Sequence, residues 1–278
     1  MNIKILGDSC CDLTDELRRK MNVKLIPLTI HVDDDSYIDD DTLDTKELLK
    51  KMKESTNSPK TACPSPQEYI KEYEGEESVF VVTLSSKLSG SYNSAVLAKN
   101  ILLEEIKDKF IHVFDSKSAS SGEALISMKI FELAKNGYDN NQIVEKVDQY
   151  ISEMKTLFVL ESLDNLIKAG RISTLKGKLA SMLSIVPIMK ATNDGEIDLF
   201  EKVRGSKKAF KRLLDAIGEQ GEKLEEKILG ITHCNCLEKA LEFKEEVMKK
   251  YNFKDIIIFE TKGISTVYAD DGGLIISF

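Results

Sequence analysis

The sequence predicts an α/β protein of two domains, and three observations carry that expectation. Short apolar runs bounded by Asp, Ser or Gly alternate with longer helical patterns almost from end to end, which implies βαβ units and a mainly parallel sheet. A chain of 278 residues exceeds what one hydrophobic core usually serves. Near residue 160 the texture changes: Asn193-Asp194-Gly195 separates two extended runs, a hairpin-turn signal that brings in an antiparallel element. The domains are therefore drawn at residues 1–160, with a mainly parallel sheet, and 161–278, with a mixed sheet.

In the first domain Ile3–Leu6, Lys24–Ile30, Val79–Leu84, Ile111–Phe114 and Thr156–Leu160 read as strands. The helical stretches between them are Leu13–Met21, Thr45–Lys53, Pro66–Tyr73, Tyr92–Ile106, Gly122–Asn136 and Asn141–Met154. Ser65 stands before Pro66 with Glu68 three residues on, the pattern of an N-cap, a first-turn proline and a capping box. Gly137 follows Asn136 as a helix stop. In the second domain Leu163–Ala169 and Leu175–Leu183 read as short helices on either side of Gly170-Arg171-Ile172. Val186–Ala191 and Ile197–Val203 form the hairpin. Helices Lys207–Glu219 and Leu237–Lys250 then alternate with strands Ile228–Thr232, Ile256–Thr261 and Leu274–Ser277.

Composition narrows the function. With 42% hydrophobic and 31% charged residues the chain is globular rather than disordered. A net charge of −8 repels phosphate backbones and argues against nucleic acid. The longest nearly apolar stretch, Leu179–Met189, is about half the roughly 20 residues of a spanning helix. Transient contact with a membrane surface is left open by the composition. The N-terminus reads as a strand rather than a signal peptide, so the expected compartment is the cytoplasm. Five cysteines, two adjacent and two separated by one residue, make a poor disulfide framework. His233-Cys234-Asn235-Cys236 has no second pair at zinc spacing, so no metal is expected. None of the three histidines stands near a nucleophile signature.

Three loops can carry chemistry. Ser85-Ser86-Lys87-Leu88-Ser89-Gly90-Ser91 follows a buried strand and opens a helix, so hydroxyls and free backbone N–H groups gather at a helix N-terminus, where an anion is favoured. The spacing is neither a Walker loop nor a dinucleotide loop, and a plain serine-rich cap is the simpler reading of the loop alone. Thr61 lies in the proline-stiffened turn Lys60–Pro66, which alone reads as a rigid turn. Asp8-Ser9-Cys10-Cys11-Asp12 follows the first strand; its acids would repel an anion, so capping and loop bracing are their expected duties.

These segments resemble the DegV family of bacterial fatty-acid-binding proteins. The resemblance runs in order through Asp8-Ser9 with Asp12-Leu13, Thr61 with Pro64-Ser65, Ser86 to Ala95, Asp115-Ser116, Gly170-Arg171-Ile172, Pro187-Ile188 and Val203 to Ala209. It implies two α/β domains with one long-chain fatty acid between them. It further implies a binding subunit, not an enzyme, that presents the lipid carboxylate to a separate fatty acid kinase for phosphorylation to an acyl phosphate, with no other cofactor. By position, Thr61 and Ser89 match the hydroxyls that hold the carboxylate, with the N–H groups of Gly90 and Ser91 beside them. Arg171 matches an arginine of the kinase-facing surface and is expected to be exposed. The chain differs from the family pattern at two places. Ala62-Cys63 stands where the family commonly has Ser-Gln, and Tyr268 stands where the family often has a histidine close to the carboxylate. A phenol donates a hydrogen bond but is not cationic at neutral pH. The alternative reading, from the fold class alone, is an α/β phosphotransferase or hydrolase acting on a small anionic substrate.

Overall fold

The computed structural model describes residues 2–172 and 185–278. The helix expected at Leu175–Leu183, and most of the apolar stretch Leu179–Met189, lie outside the described residues.

β1 (Ile3–Asp8), β2 (Val23–Ile26), β6 (Ser78–Thr83) and β7 (Ile111–Asp115) form a parallel sheet in the order β2-β1-β6-β7. Side chains alternate across its two faces, and both faces are covered, which is why the strands read as continuous apolar runs. Phe80 and Val82 pack beneath α5 (Ser121–Lys135) and α6 (Asn140–Glu153). Val79 and Val81 pack beneath α3 (Pro66–Tyr73) and α4 (Ser91–Glu105). The α3 start is the expected one: a Glu68 carboxylate oxygen accepts the Ser65 N–H at 2.6 Å and its hydroxyl at 2.9 Å.

The second sheet is mixed, as expected, with the order β10-β9-β8-β13-β11-β12. Its strands are β8 (Thr156–Val159), β9 (Ile185–Ala191), β10 (Ile197–Arg204), β11 (Ile228–His233), β12 (Asp255–Glu260) and β13 (Leu274–Ser277). β8 pairs with β13 and β9, so the second sheet takes in the chain from Thr156, ahead of the boundary drawn at residue 160. The texture change marks where the helices shorten, whereas a strand belongs to the sheet that supplies its ladder. One face of this sheet is covered by α8 (Ser206–Gln220) and α9 (Leu237–Lys250). On the other face α5 packs against β11 and β13 while it also packs against β1 and β6. Because α5 is the layer shared by both sheets, every residue from Ser121 to Ser127 is buried, all round the helix.

A third sheet was not anticipated. β3 (Thr29–Val32), β4 (Asp35–Ile38) and β5 (Lys60–Ala62) form a small antiparallel sheet in the order β4-β3-β5. The run read as one strand, Lys24–Ile30, breaks between Ile26 and Thr29 at Pro27, which has no N–H to offer a ladder. The short helix α10 (Gly263–Ala269) is likewise absent from the sequence reading, and it packs against α2 (Thr45–Glu54) and α7 (Asp164–Lys168).

At the C-terminal edge of the first sheet Asp8, Asp12 and Glu123 are at most 1% exposed. Asp12 accepts the Lys262 N–H at 2.7 Å, but its second oxygen and both oxygens of Glu123 have no partner among the described residues. Burial, with the neighbouring Asp8 charge adding to it, pushes the Glu123 carboxyl well above the usual range and holds it as the neutral acid. Burial likewise raises Asp12 to about 7. The folded protein thus keeps protons that the unfolded chain releases above about pH 4.5, so this cluster's contribution to stability falls as pH rises from there. Glu123→Gln removes the Glu123 proton from that balance. Its stability relative to wild type, from urea titrations between pH 5 and 8, is expected to rise with pH by up to about 1.4 kcal/mol per unit. Parallel profiles would mean that Glu123 ionises normally in the fold.

Candidate functional site

The serine-rich loop between β6 and α4 is held from below by Asp8. Its carboxylate accepts the Leu84 N–H at 2.9 Å, the Cys10 N–H at 3.1 Å and the Ser91 hydroxyl at 2.6 Å. Since Ser91 donates to Asp8, the Tyr69 hydroxyl, 2.6 Å away, is the donor to Ser91 Oγ. The Ser91 N–H in turn donates to Ser89 Oγ at 3.2 Å. The Ser91 N–H was expected beside a ligand carboxylate; here it is given to Ser89 Oγ, and the residue is fully buried with its hydroxyl taken by Asp8. Ser89, by contrast, has its oxygen occupied as an acceptor and its proton left to donate. The Gly90 N–H, at the exposed start of α4, has no acceptor among the described residues. Ser89 and Gly90 therefore form the donor set at this helix N-terminus.

Thr61, on β5, comes to the same place from the third sheet. Cys63, two residues on, lays its sulfur 3.0 Å from where a Cβ on Gly90 would stand, so the two loops meet closely at a residue without a side chain. Thr61 Oγ1 lies 2.8 Å from Tyr268 Oη on α10. Two hydroxyls joined by one hydrogen bond leave one proton free to donate to a third group.

Arg171 is half-buried rather than exposed. Its Nε donates to Leu88 O at 3.1 Å and its Nη1 to Ala169 O at 2.6 Å, and the guanidinium carbon is 6.0 Å from the Tyr268 ring centre. The expectation of exposure assumed that a buried guanidinium needs a carboxylate. Here two carbonyls meet it, one of them that of Ala169, the C-cap residue of α7.

Behind Arg171 and Tyr268 a pocket opens between the two large sheets. Leu84, Leu88, Phe158, Ile197, Ile264 and Ile275 are among its walls. The hydroxyls on its lining turn toward one another: Ser118 lies 2.7 Å from Thr156, and Ser120 donates to Thr232 at 2.9 Å. The interior surface is therefore apolar, and donors gather at one end. Tyr268, Arg171 and Leu88 line that end; Thr61 stands one hydrogen bond behind Tyr268, and Ser89 is the neighbour of Leu88. Among the described residues no group of three or more His, Cys, Asp or Glu side chains is arranged to hold a metal, and no helix is long and apolar enough to cross a membrane.

Sequence reasoning singled out both hydroxyl loops and the arginine, which the structure brings to one end of the pocket. It missed Glu123, whose position inside a helix pattern carries no sign of burial on all sides, and it missed the tie from Arg171 to Leu88.

Comparison with known proteins gives a consistent family. The model described as an uncharacterised protein of the DegV family matches residues 2–278. A DegV domain-containing protein of Streptococcus pneumoniae is 36% identical over 280 residues, covering 100% of this chain and 99% of the relative. Among solved structures, a DegV family protein of Ruminococcus gnavus with vaccenic acid superposes at a TM-score of 0.96 with 45% identity, covering 99% of each chain. The Streptococcus pneumoniae fatty acid kinase B3 protein loaded with linoleic acid superposes at 0.91 with 35% identity, covering 100% of this chain and 99% of that one. The chain belongs to the DegV family.

Proposed function

We propose that the protein binds one long-chain fatty acid in the pocket between its two large sheets and presents the carboxylate to a separate fatty acid kinase, with no reaction of its own. The observation that carries the reading is the polarity of the pocket: an apolar interior with the Tyr268 phenol and the Arg171 guanidinium at one end, and the Thr61 and Ser89 hydroxyls beside them. That is the shape of a ligand with a long hydrocarbon tail and a single anionic head. At about 0.8 kcal/mol per buried CH₂, a chain of roughly fourteen methylenes offers about 11 kcal/mol before association costs, so the head-group donors set orientation more than affinity. Ser89, Thr61, Tyr268 and the Gly90 N–H are the donors assigned to the carboxylate. Hydroxyls, unlike a bidentate arginine, leave a carboxylate oxygen nucleophilic enough to attack a phosphoryl group. The relatives of Ruminococcus gnavus and Streptococcus pneumoniae with vaccenic and linoleic acid support the ligand class, and the kinase name of the latter supports the partner.

Native mass spectrometry of freshly purified protein is expected to find one fatty acid per chain. Added oleate is expected to raise the melting temperature, by the equivalent of about 2.7 kcal/mol at a hundredfold excess over the dissociation constant. A co-purifying nucleotide or metal, with no response to oleate, would instead support a phosphotransferase or hydrolase.

Ser89→Ala is expected to cost about 1.5 to 3 kcal/mol in binding a fatty acid and much less in binding the matching alcohol, since bonds to a charged acceptor are the stronger ones. Equal losses for both ligands would leave Ser89 as a helix cap. Arg171, at the mouth, is assigned to the kinase-facing surface. Arg171→Ala is expected to lower phosphorylation of bound lipid by a fatty acid kinase at least tenfold, about 1.4 kcal/mol, with a smaller loss of lipid affinity. Unchanged turnover would leave it as the tie to Leu88 alone.

A further inference from the structure

Tyr268 belongs to the second half of the chain, yet the groups that set its position come from the small third sheet. Asp39 directly follows β4 and is 3% exposed. Its two carboxylate oxygens accept the first two amides of α10, Gly263 N–H at 2.7 Å and Ile264 N–H at 2.9 Å. Its own N–H donates to Leu28 O at 2.9 Å, which fixes it beside β3. The approach is so close that a Cβ on Gly263 would stand 2.4 Å from Asp39 Oδ1 and 2.8 Å from Ile30 Cδ1. At the far end of the same helix, Tyr268 Oη meets Thr61 of β5.

The register shows why one sheet holds both ends. Thr29 of β3 pairs with Ile38 on one side and Ala62 on the other, and Ile30 pairs with Thr61. Asp39, just past β4, is level with Leu28, and Thr61 on β5 is level with Ile30, so they flank β3 two residues out of step, roughly 12 Å apart by ladder spacing and strand rise. Five residues of helix, from Gly263 to Tyr268, rise about 7.5 Å. With the reach of the Asp39 and Tyr268 side chains added to that rise, the helix meets the sheet at both ends, its first amides at Asp39 and its phenol at Thr61. Every residue from Gly263 to Val267 is buried, so the helix moves as one piece.

We propose that Asp39 is a positioning residue of the head-group site: by holding the first amides of α10 it sets the Tyr268 phenol against Thr61 and toward the ligand carboxylate. The inference rests on the fatty-acid reading of the pocket. It makes head-group selectivity depend on a carboxylate that touches no ligand.

The test is a double-mutant cycle with Asp39→Asn and Tyr268→Phe, read as the ratio of affinities for palmitate and hexadecanol. Asp39→Asn keeps one acceptor oxygen and turns the other into a donor that opposes an N–H. The ratio is expected to fall about tenfold in D39N and in Y268F alike, and the double variant is expected to be no lower than Y268F. A structural role alone would lower both affinities together and leave the ratio. If D39N does not fold, Asp39→Glu, which keeps the charge and lengthens the arm by one methylene, is read in the same cycle: the ratio must again fall without adding to the effect of Y268F. A wild-type preference for palmitate that the Asp39 variant retains, or losses that multiply in the double variant, would overturn the role of Asp39 alone. A wild-type protein without preference for palmitate would overturn the functional reading and this inference with it.

Discussion

Asp8 carries a carboxylate with no exposed surface at the end of β1, and a carboxylate taken out of water must be met by donors. The donors come from three directions: its own loop through Cys10, the β6–α4 loop through Leu84, and the first turn of α4 through Ser91. Satisfying this one group fixes the height of the serine-rich loop over the sheet and the start of α4 with it. Ser91 is drawn inward, and its N–H is given to the oxygen of the half-buried Ser89, whose proton is left to donate. The proposed head-group site is thus built on an arrangement that satisfies a buried acid.

The same device recurs where the two large sheets meet. Asp12 and Asp39, both in the first half of the chain, accept the amides of Lys262, Gly263 and Ile264 in the second half. Amides at the start of a helix have no partners within it, and anions are favoured there. In the reverse direction the Arg171 guanidinium donates to Leu88 O, and the Ser85 hydroxyl donates to Gly195 O of the hairpin turn at 2.7 Å. These bonds ring the pocket, so its walls and its polar end are positioned by a common set of contacts. α5 packs against both sheets along its length, and the apolar pocket lies where α5 begins and the loops take over.

Burial of so many acids has a cost that the fold meets unequally. Asp8 accepts three donors and Asp39 two, whereas neither oxygen of Glu123 accepts a hydrogen bond among the described residues, and burial beside Asp8 holds it neutral. Because Glu123 lies on the helix between the sheets, its protonation belongs to the core that positions the site rather than to the site.

How much of this was legible in the sequence follows from the range of each interaction. The alternation of strands and helices, the capping box at Ser65 and Glu68, the Asp194-Gly195 turn and the hydroxyl loop at Ser89 rest on hydrogen bonds and side-chain periods within a few residues, and each stands where the sequence placed it. Tertiary contacts alone decided the rest. The third sheet joins Thr29 to both Ile38 and Ala62, strands too short for a period to register. Arg171 is half-buried because a carbonyl 83 residues earlier accepts its proton, and Ser91 turns inward for an acid 83 residues before it. The bond from Asp39 to Gly263 spans 224 residues. A local pattern states which groups need partners; which partner answers depends on the packing of sheets and helices that only the folded chain brings together.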